Sequence, residues 1–269
     1  MLNYLYSAIF GIIQGITEFL PISSSGHLVI LHNFISLPIK NELVFDIILH
    51  AGSLLAVIYF FRKDIKALFV SWFKSLTGEN DSLSRLSWII ILGTIPAAAA
   101  GFFFDDYIEN FFRSVLVVAI MLILVGILFI FFEKYSRQNR DYKNIGWREA
   151  LIIGLAQAIA LIPGTSRSGI TIIAGLGVNL KREAAVRFSF LLSIPIILGA
   201  VSSKLPSVVS GNLTSEETLI LIIGFIFSYM ASFFTIKYFL RFVKRHSLNI
   251  FALYRFILAA VILVYFFVA

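Results

Sequence analysis

Six continuous apolar runs close to membrane-spanning length, at residues 44–61, 87–104, 115–132, 188–203, 217–236 and 250–268, constrain this chain more than any other feature. Each is bounded by charges or by Gly, Pro and Asn clusters. A hydrocarbon layer about 30 Å thick takes roughly 20 apolar residues per helix, so these runs read as transmembrane helices. The remainder of the 269 residues leaves no room for a soluble domain. Composition agrees, with 59% hydrophobic and 14% charged residues, where water-soluble domains carry roughly half and about a quarter. The absence of cysteine excludes disulfides, thiolate metal sites and cysteine nucleophiles. No Lys or Arg precedes Lys40. The apolar start therefore lacks the basic region of a signal peptide and is expected to remain in the mature protein.

The net charge of +7 follows a membrane pattern rather than a nucleic-acid one. Segments 62–85, 133–148, 181–187 and 237–246 hold 5, 5, 3 and 4 Lys/Arg, 17 of the 22, whereas 105–114 holds only Arg113 and 202–218 only Lys204. Basic loops mark the cytoplasmic side, which puts those four segments inside and both termini outside. The acidic cluster Asp105, Asp106 and Glu109 and the pair Glu216, Glu217 then fall outside. Trp72, Trp88 and Trp147 read as interface anchors, and Lys237, Arg241, Lys244 and Arg245 as topology determinants facing anionic lipid. The expected partners are membrane lipids and no nucleic acid; a homodimer is left open.

Two further apolar regions, 5–36 and 148–180, are broken midway, the first by Pro21 with Ser23, Ser24, Ser25 and Gly26, the second by Pro163-Gly164 with Ser166, Arg167, Ser168 and Gly169. They read as re-entrant helix pairs. A broken backbone at membrane depth survives only where protein or a water-filled cavity satisfies its free N–H and C=O groups, so both breaks are expected to line a site.

The two regions also match each other. Ala8 to Gln14 aligns with Leu151 to Gln157 at an offset of 143, and the Ser-x-Ser-Gly at 23–26 meets the Ser-x-Ser-Gly at 166–169 at the same offset. Phe45 to Leu49 aligns with Phe188 to Leu192, Phe102-Phe103 with Phe233-Phe234, and Phe112-Arg113 with Tyr254-Arg255. The expected architecture is an all-α polytopic membrane protein of two repeats, 1–134 and 148–269, joined by a cytoplasmic linker over 135–147. Each repeat holds one re-entrant pair and three full spans. An odd number of crossings enters the second half upside down, so the repeats have inverted topology and bring both breaks to one interface.

Polar residues inside a membrane are costly and point to function. Gln14 and Glu18 stand at i, i+4 before the first break and share one helix face. Ser23, Ser24, Ser25 and Gly26 open the following helix as an N-cap cluster, with His27 just beyond. Thr165, Ser166, Arg167, Ser168, Gly169 and Thr171 repeat the hydroxyl pattern on the second side, with a guanidinium where the first has Ser24. Close helix packing alone explains a Ser/Gly stretch. It does not explain an Arg at depth, which costs on the order of 3 kcal/mol on insertion scales. Two helix N-termini, several hydroxyls and one Arg make a site for a multiply charged anion such as a phosphate. The Glu18 carboxylate would repel that anion unless a cation intervenes, so a divalent cation, Mg2+ or Ca2+, is expected with Glu18 as a ligand. Asp46 and His50, at i, i+4 on the first full span, read either as a mutual pair or as an extension of the polar cavity.

The stretches Gln14-Gly-Ile-Thr-Glu18-Phe-Leu-Pro21-Ile-Ser23-Ser24-Ser25-Gly26-His27 and Pro163-Gly164-Thr165-Ser166-Arg167-Ser168-Gly169-Ile170-Thr171 resemble the two signature motifs of the bacterial undecaprenyl-diphosphatase family, the BacA type. The resemblance covers the whole chain. It implies a multi-pass enzyme of the bacterial cytoplasmic (inner) membrane that removes the terminal phosphate of undecaprenyl diphosphate. Such an enzyme regenerates the lipid carrier for peptidoglycan and confers bacitracin resistance when abundant. It also implies a need for Mg2+ or Ca2+. The family's acidic pair falls on Gln14 and Glu18, its hydroxyl cluster on Ser23, Ser24 and Ser25, its histidine on His27 and its phosphate-gripping arginine on Arg167. Many members have a glutamate where this chain has Gln14, and a threonine where it has Ser25.

In the expected mechanism Arg167, Ser166 and Ser168 grip phosphate oxygens, with Ser24 as nucleophile. His27 shuttles protons, and Glu18 orients His27 or holds the metal; His27 itself or an activated water remain alternative nucleophiles. Gln14, Ser23, Ser25, Gly26, Thr165, Gly169 and Thr171 line the substrate site, which is expected to open to the outer face. The rival reading is a flippase or anion transporter built on the same inverted-repeat site.

Overall fold

The computed structural model describes residues 1–112, 114–210 and 213–268, with no side chains described at 105–111, 205, 207–210, 265 and 268. The acidic cluster Asp105, Asp106 and Glu109, and Arg113, therefore lie outside the described side chains. The described residues form eleven α-helices: α1 (Leu2–Phe19), α2 (Ser24–Phe34), α3 (Glu42–Phe60), α4 (Arg62–Leu76), α5 (Ser82–Phe112), α6 (Val115–Tyr135), α7 (Trp147–Ile159), α8 (Arg167–Gly177), α9 (Arg182–Ser210), α10 (Ser215–Phe242) and α11 (Asn249–Val268). The stretches Glu42–Phe60, Ser82–Phe104, Val115–Tyr135, Arg182–Lys204 and Ser215–Phe242 are long and apolar enough to cross a bilayer. These five correspond to expected spans, and the chain is a multi-pass membrane protein. α11 covers the sixth run, where the described apolar stretch, Asn249–Val264, is shorter.

Both apolar regions with a Pro in the middle are helix, break, helix. α1 stops at Phe19 and α2 starts at Ser24; α7 stops at Ile159 and α8 starts at Arg167. Pro21 and Pro163 supply no N–H to continue a helix, and the serines that follow offer side-chain acceptors that start a new one. Segment 62–85, read from sequence only as a basic stretch, contains α4. Its Phe69, Val70, Phe73 and Leu76 are exposed while Leu68 and Ser71 are buried. The Leu68 carbonyl accepts from Ser87 Oγ at 2.9 Å, and Trp88 Nε1 donates to Ser75 Oγ at 3.1 Å, tying α4 to α5. Arg62, Lys63 and Lys66 beside exposed aromatic residues fit a helix lying in the membrane interface.

Several of the main packing pairs survive exchange of the two halves. α1 runs along α10 as α7 runs along α5; α3 packs on α10 and α9 on α5; α3 meets α9, and α6 meets α11. Small residues permit the closest approaches. A side chain at Gly11 would collide with the Gly224 carbonyl, and one at Gly154 with the Gly93 carbonyl. Gly11 and Gly154 differ by the same 143 positions as the serine motifs. Hydroxyls close the α3–α10 contact: Ser228 donates to the Leu49 carbonyl at 2.6 Å and Ser232 to Ser53 at 2.9 Å. In an apolar solvent, such close van der Waals contact and interhelical hydrogen bonding hold helices together.

The ends of the bundle differ in chemistry. At one end Asn3 donates to Glu216 at 3.0 Å, and the Lys40 N–H to Glu217 at 3.0 Å. At the other, Arg182 pairs with Glu133 and Lys244 with Glu183, so three of the four basic segments gather there. Residues 139–140 pair with 179–181 through backbone hydrogen bonds, fastening the linker beneath α8.

Gly11→Ala is expected to lower stability by about 1–3 kcal/mol, since the helix backbones must separate. Gly199→Ala, at a position with nothing within 4 Å, serves as the control. Thermal melting in detergent compares them; equal melting temperatures would mean that α1 does not need its close seat on α10.

Candidate functional site

The two breaks adopt the same local geometry. Ser23 and Ser166 have φ of 73° and 70°, a left-handed conformation that L residues rarely adopt. Such a residue costs about 1–3 kcal/mol and persists only where its surroundings fix it. Here each serine caps the helix it precedes. The Gly26 N–H donates to Ser23 Oγ at 3.3 Å and the Gly169 N–H to Ser166 Oγ at 3.1 Å. Ser25 Oγ and Ser168 Oγ lie 3.3 Å from their capping serines. Both α2 and α8 thus begin with an ordered N-terminus, the positive end of a helix dipole.

Glu18 joins them. It is 6% exposed, in the last turn of α1. Its Oε1 accepts from Arg167 NH2 at 2.7 Å, and its Oε2 accepts from Ser24 Oγ at 2.8 Å and from Gln14 Nε2 at 3.1 Å. One buried carboxylate is therefore bonded to the first residue of α2 and the first residue of α8. Ser168 adds a second link by donating to the Leu20 carbonyl at 3.1 Å. The structure thus brings Gln14, Glu18, Ser23, Ser24, Ser25, Gly26, Ser166, Arg167, Ser168 and Gly169 together. Thr165 is buried next to them, its Oγ1 without a hydrogen-bond partner. Thr171, one turn beyond Arg167 on the same face of α8, bonds Ser189 Oγ at 2.7 Å and the Arg167 carbonyl at 2.8 Å, and Arg167 itself donates to the Ser189 carbonyl at 3.4 Å.

His27, expected to shuttle protons beside Ser24, is turned away from it, whereas His50, read as part of an extended polar cavity, stands beside Glu18. His27 Nδ1 is 2.7 Å from the Ser23 carbonyl, which can only accept, so Nδ1 carries the hydrogen. Its Nε2 is 2.7 Å from the Tyr254 hydroxyl, and the two rings stack. Neither nitrogen is bonded to Glu18 or Ser24. The imidazole beside Glu18 belongs to His50, whose Nε2 stands 3.4 Å from Glu18 Oε2 and whose Nδ1 donates to the Asp46 carbonyl at 2.8 Å. Asp46 Oδ1 lies 3.0 Å from His32 Nε2, and His32 Nδ1 lies 3.7 Å from Glu42, so a line of polar groups runs from Glu18 to the exposed start of α3.

Sequence reasoning missed Arg255 on α11. It is fully buried, and its guanidinium donates to five carbonyls: Leu122 at 3.1 Å, Pro21 at 3.2 Å, Met121 at 3.2 Å, Gly164 at 2.9 Å and Thr165 at 3.0 Å. A lone Arg in an apolar run was the available signal.

Among the described residues no group of three His, Asp or Glu side chains forms a ready cage for a cation. Gln14 Oε1 is buried without a hydrogen-bond partner, one turn from the Glu18 carboxylate. A free amide oxygen beside a carboxylate is a fitting pair of hard donors for Mg2+ or Ca2+, with phosphate oxygens and water completing the shell.

Two broken-helix pairs, each capped by a serine and bridged by a buried acid and an arginine, define a polytopic membrane protein with a hydroxyl-rich, charged cluster inside its helix bundle. The family model described as "Bacitracin resistance protein BacA" matches residues 7–261, and the chain belongs to that family. It is 43% identical over 266 residues to the undecaprenyl-diphosphatase of Rubrobacter xylanophilus, covering 97% of this chain and 98% of that protein. It is 40% identical over 267 residues to the undecaprenyl-diphosphatase of Idiomarina loihiensis, covering 99% and 100%.

Glu18→Ala leaves the partly covered Arg167 guanidinium (side chain 13% exposed) with only the Ser189 carbonyl as a described partner and is expected to cost roughly 1–3 kcal/mol. The Glu18→Ala/Arg167→Ala double variant should recover part of that loss in denaturant unfolding. Additive losses would show that the two side chains are not coupled.

Proposed function

We propose that the chain is an undecaprenyl-diphosphate phosphatase, which hydrolyses the terminal phosphoanhydride of undecaprenyl diphosphate to undecaprenyl phosphate and phosphate and so recycles the lipid carrier of cell-wall synthesis. The observation that carries the chemistry is Glu18, hydrogen-bonded at once to the Ser24 hydroxyl and the Arg167 guanidinium. A carrier of anions needs donors alone. A hydroxyl held on a buried carboxylate, beside a phosphate grip, is a nucleophile next to a base.

The diphosphate lies between the N-termini of α2 and α8. Arg167, Ser166 and Ser168 grip its oxygens, with the backbone at Gly26 and Gly169 and the hydroxyls of Ser23, Ser25 and Thr165 lining the cradle. Ser24 Oγ attacks the terminal phosphorus and its proton passes to Glu18. The bond from that phosphorus to the bridging oxygen breaks, and undecaprenyl phosphate leaves. Water then cleaves the phosphoserine, returning the serine hydroxyl and releasing phosphate. Gln14 Oε1 and Glu18 would hold a divalent cation, which when bound offsets the negative charge of the head group. Supporting a seat for the isoprenoid tail, an apolar groove of 580 Å³ passes Leu20 at the first break, lined also by Ile16, Met230, Tyr238 and Phe251. His27, bonded to Tyr254, acts on the placement of α2 and not on the proton of Ser24.

The two halves, 1–134 and 148–269, are inverted-topology repeats in the bacterial cytoplasmic membrane, with the site open to the outer face. The exchange-symmetric helix packing supports the repeat. The polar line from Glu18 through His50, Asp46 and His32 to Glu42 supports the outer opening, since Glu42 follows the Lys40 segment that meets Glu217.

The test is phosphate release from a prenyl diphosphate by the purified chain in detergent, where no vectorial transport is possible. Release is expected, and Ser24→Ala should lower it by at least about 100-fold with the fold intact. Arg167→Lys should be nearly as damaging, because an ammonium cannot make a planar two-point grip. Undiminished release by Ser24→Ala would remove serine from the chemistry, and no release by the parent chain would defeat the phosphatase reading. A chelator should suppress release, with recovery on adding Mg2+ or Ca2+; indifference to the chelator would remove the cation.

A further inference from the structure

Among the described residues, Arg255 is the one fully buried charge that this mechanism leaves unused. Its described partners are all backbone carbonyls, and they come from three separate segments: Met121 and Leu122 on α6, Pro21 in the first break, Gly164 and Thr165 in the second. Carbonyls in a broken helix at membrane depth have no water to meet them. A hydroxyl could satisfy one of them. Only a planar fork with five N–H groups reaches carbonyls on both breaks at once. Gly164 is shaped for this contact: its φ is +89°, and a side chain there would meet the Val118 backbone at 2.6 Å. The preceding residue on α11, Tyr254, bonds His27 in the first turn of α2. Two successive residues of one helix therefore hold both breaks and the start of α2.

The ties between the breaks differ in what the reaction asks of them. Glu18–Arg167 lies on the substrate side and must loosen when Arg167 turns to a phosphate oxygen. The Arg255 tie uses no group that faces the substrate and can stay closed throughout. We propose that Arg255 is a positioning residue which, through the carbonyls of Pro21, Gly164 and Thr165, sets the spacing of the Ser23 and Ser166 caps and thus of Ser24 relative to Arg167. The inference rests on the phosphatase reading for its kinetic test, and a misplacement of about 1 Å at a reacting group is worth on the order of 100-fold in rate.

Arg255→Lys keeps the charge and loses the fork. Its kcat on a prenyl diphosphate is expected to fall about 100-fold while KM stays within about threefold and the melting temperature is unchanged. Because the chain has no cysteine, a Leu20→Cys/Ser168→Cys pair reports the spacing directly through a short thiol cross-linker, and its yield should drop when Arg255→Lys is added. A kcat within about threefold of the parent overturns the proposal. So does a kcat loss matched by a fall of melting below the assay temperature, which would make Arg255 structural only. If the parent chain releases no phosphate, the phosphatase reading fails by itself, and the cross-link yield alone decides the clamp: an unchanged yield refutes it.

Discussion

A helix interrupted inside a packed apolar bundle leaves backbone groups that need partners from the protein, and the structure is organised around meeting that demand twice. The Gly26 and Gly169 N–H groups go to the Ser23 and Ser166 hydroxyls, the Leu20 carbonyl to Ser168, and the carbonyls of Pro21, Gly164 and Thr165 to Arg255. The groups that answer the demand are small hydroxyls and one guanidinium. They leave two helix N-termini ordered and joined through Glu18, which bonds the first residue of each.

The surrounding bundle supplies rigidity. Two serines in left-handed conformations and an acid buried against an arginine are all unfavourable in isolation. They are held because α1 and α7 sit so close on α10 and α5 that a methyl group would not fit at Gly11 or Gly154. Position of the reacting groups therefore depends on contacts far from them, made by residues with no chemistry of their own.

Much of this was legible in the sequence. Apolar runs of spanning length marked the helices, and Pro followed by Ser and Gly marked the breaks, because both signals are local. Gln14 and Glu18 shared a face by spacing, and the structure joins them by a hydrogen bond. What the sequence hid was long-range. His27 lies close to Ser24 along the chain yet its ring points to Tyr254, while His50, on another helix, stands beside Glu18. Thr171 belongs to the hydroxyl-rich motif, but its partner is Ser189 on α9, a contact it shares with Arg167 and that no local spacing announces. α4 was hidden for another reason: its apolar face is offset by Arg62, Lys63 and Lys66, so its average polarity is that of a loop. Arg255 sat in an apolar run whose alignment with Arg113 drew attention to ancestry rather than to carbonyls.

The left-handed serines mark two breaks of matching backbone whose neighbouring side chains differ. At the 143-residue offset Gln14 corresponds to Gln157, Glu18 to Leu161 and Ser24 to Arg167. Two matching cradles would accept a diphosphate in either direction, since neither end of the ligand could tell them apart. Placing the acid and hydroxyl on one side and the cation on the other gives the pocket a polarity. On the phosphatase reading proposed above, that polarity would distinguish the lipid-bearing phosphate from the terminal phosphate by where each lies, without any contact to the tail.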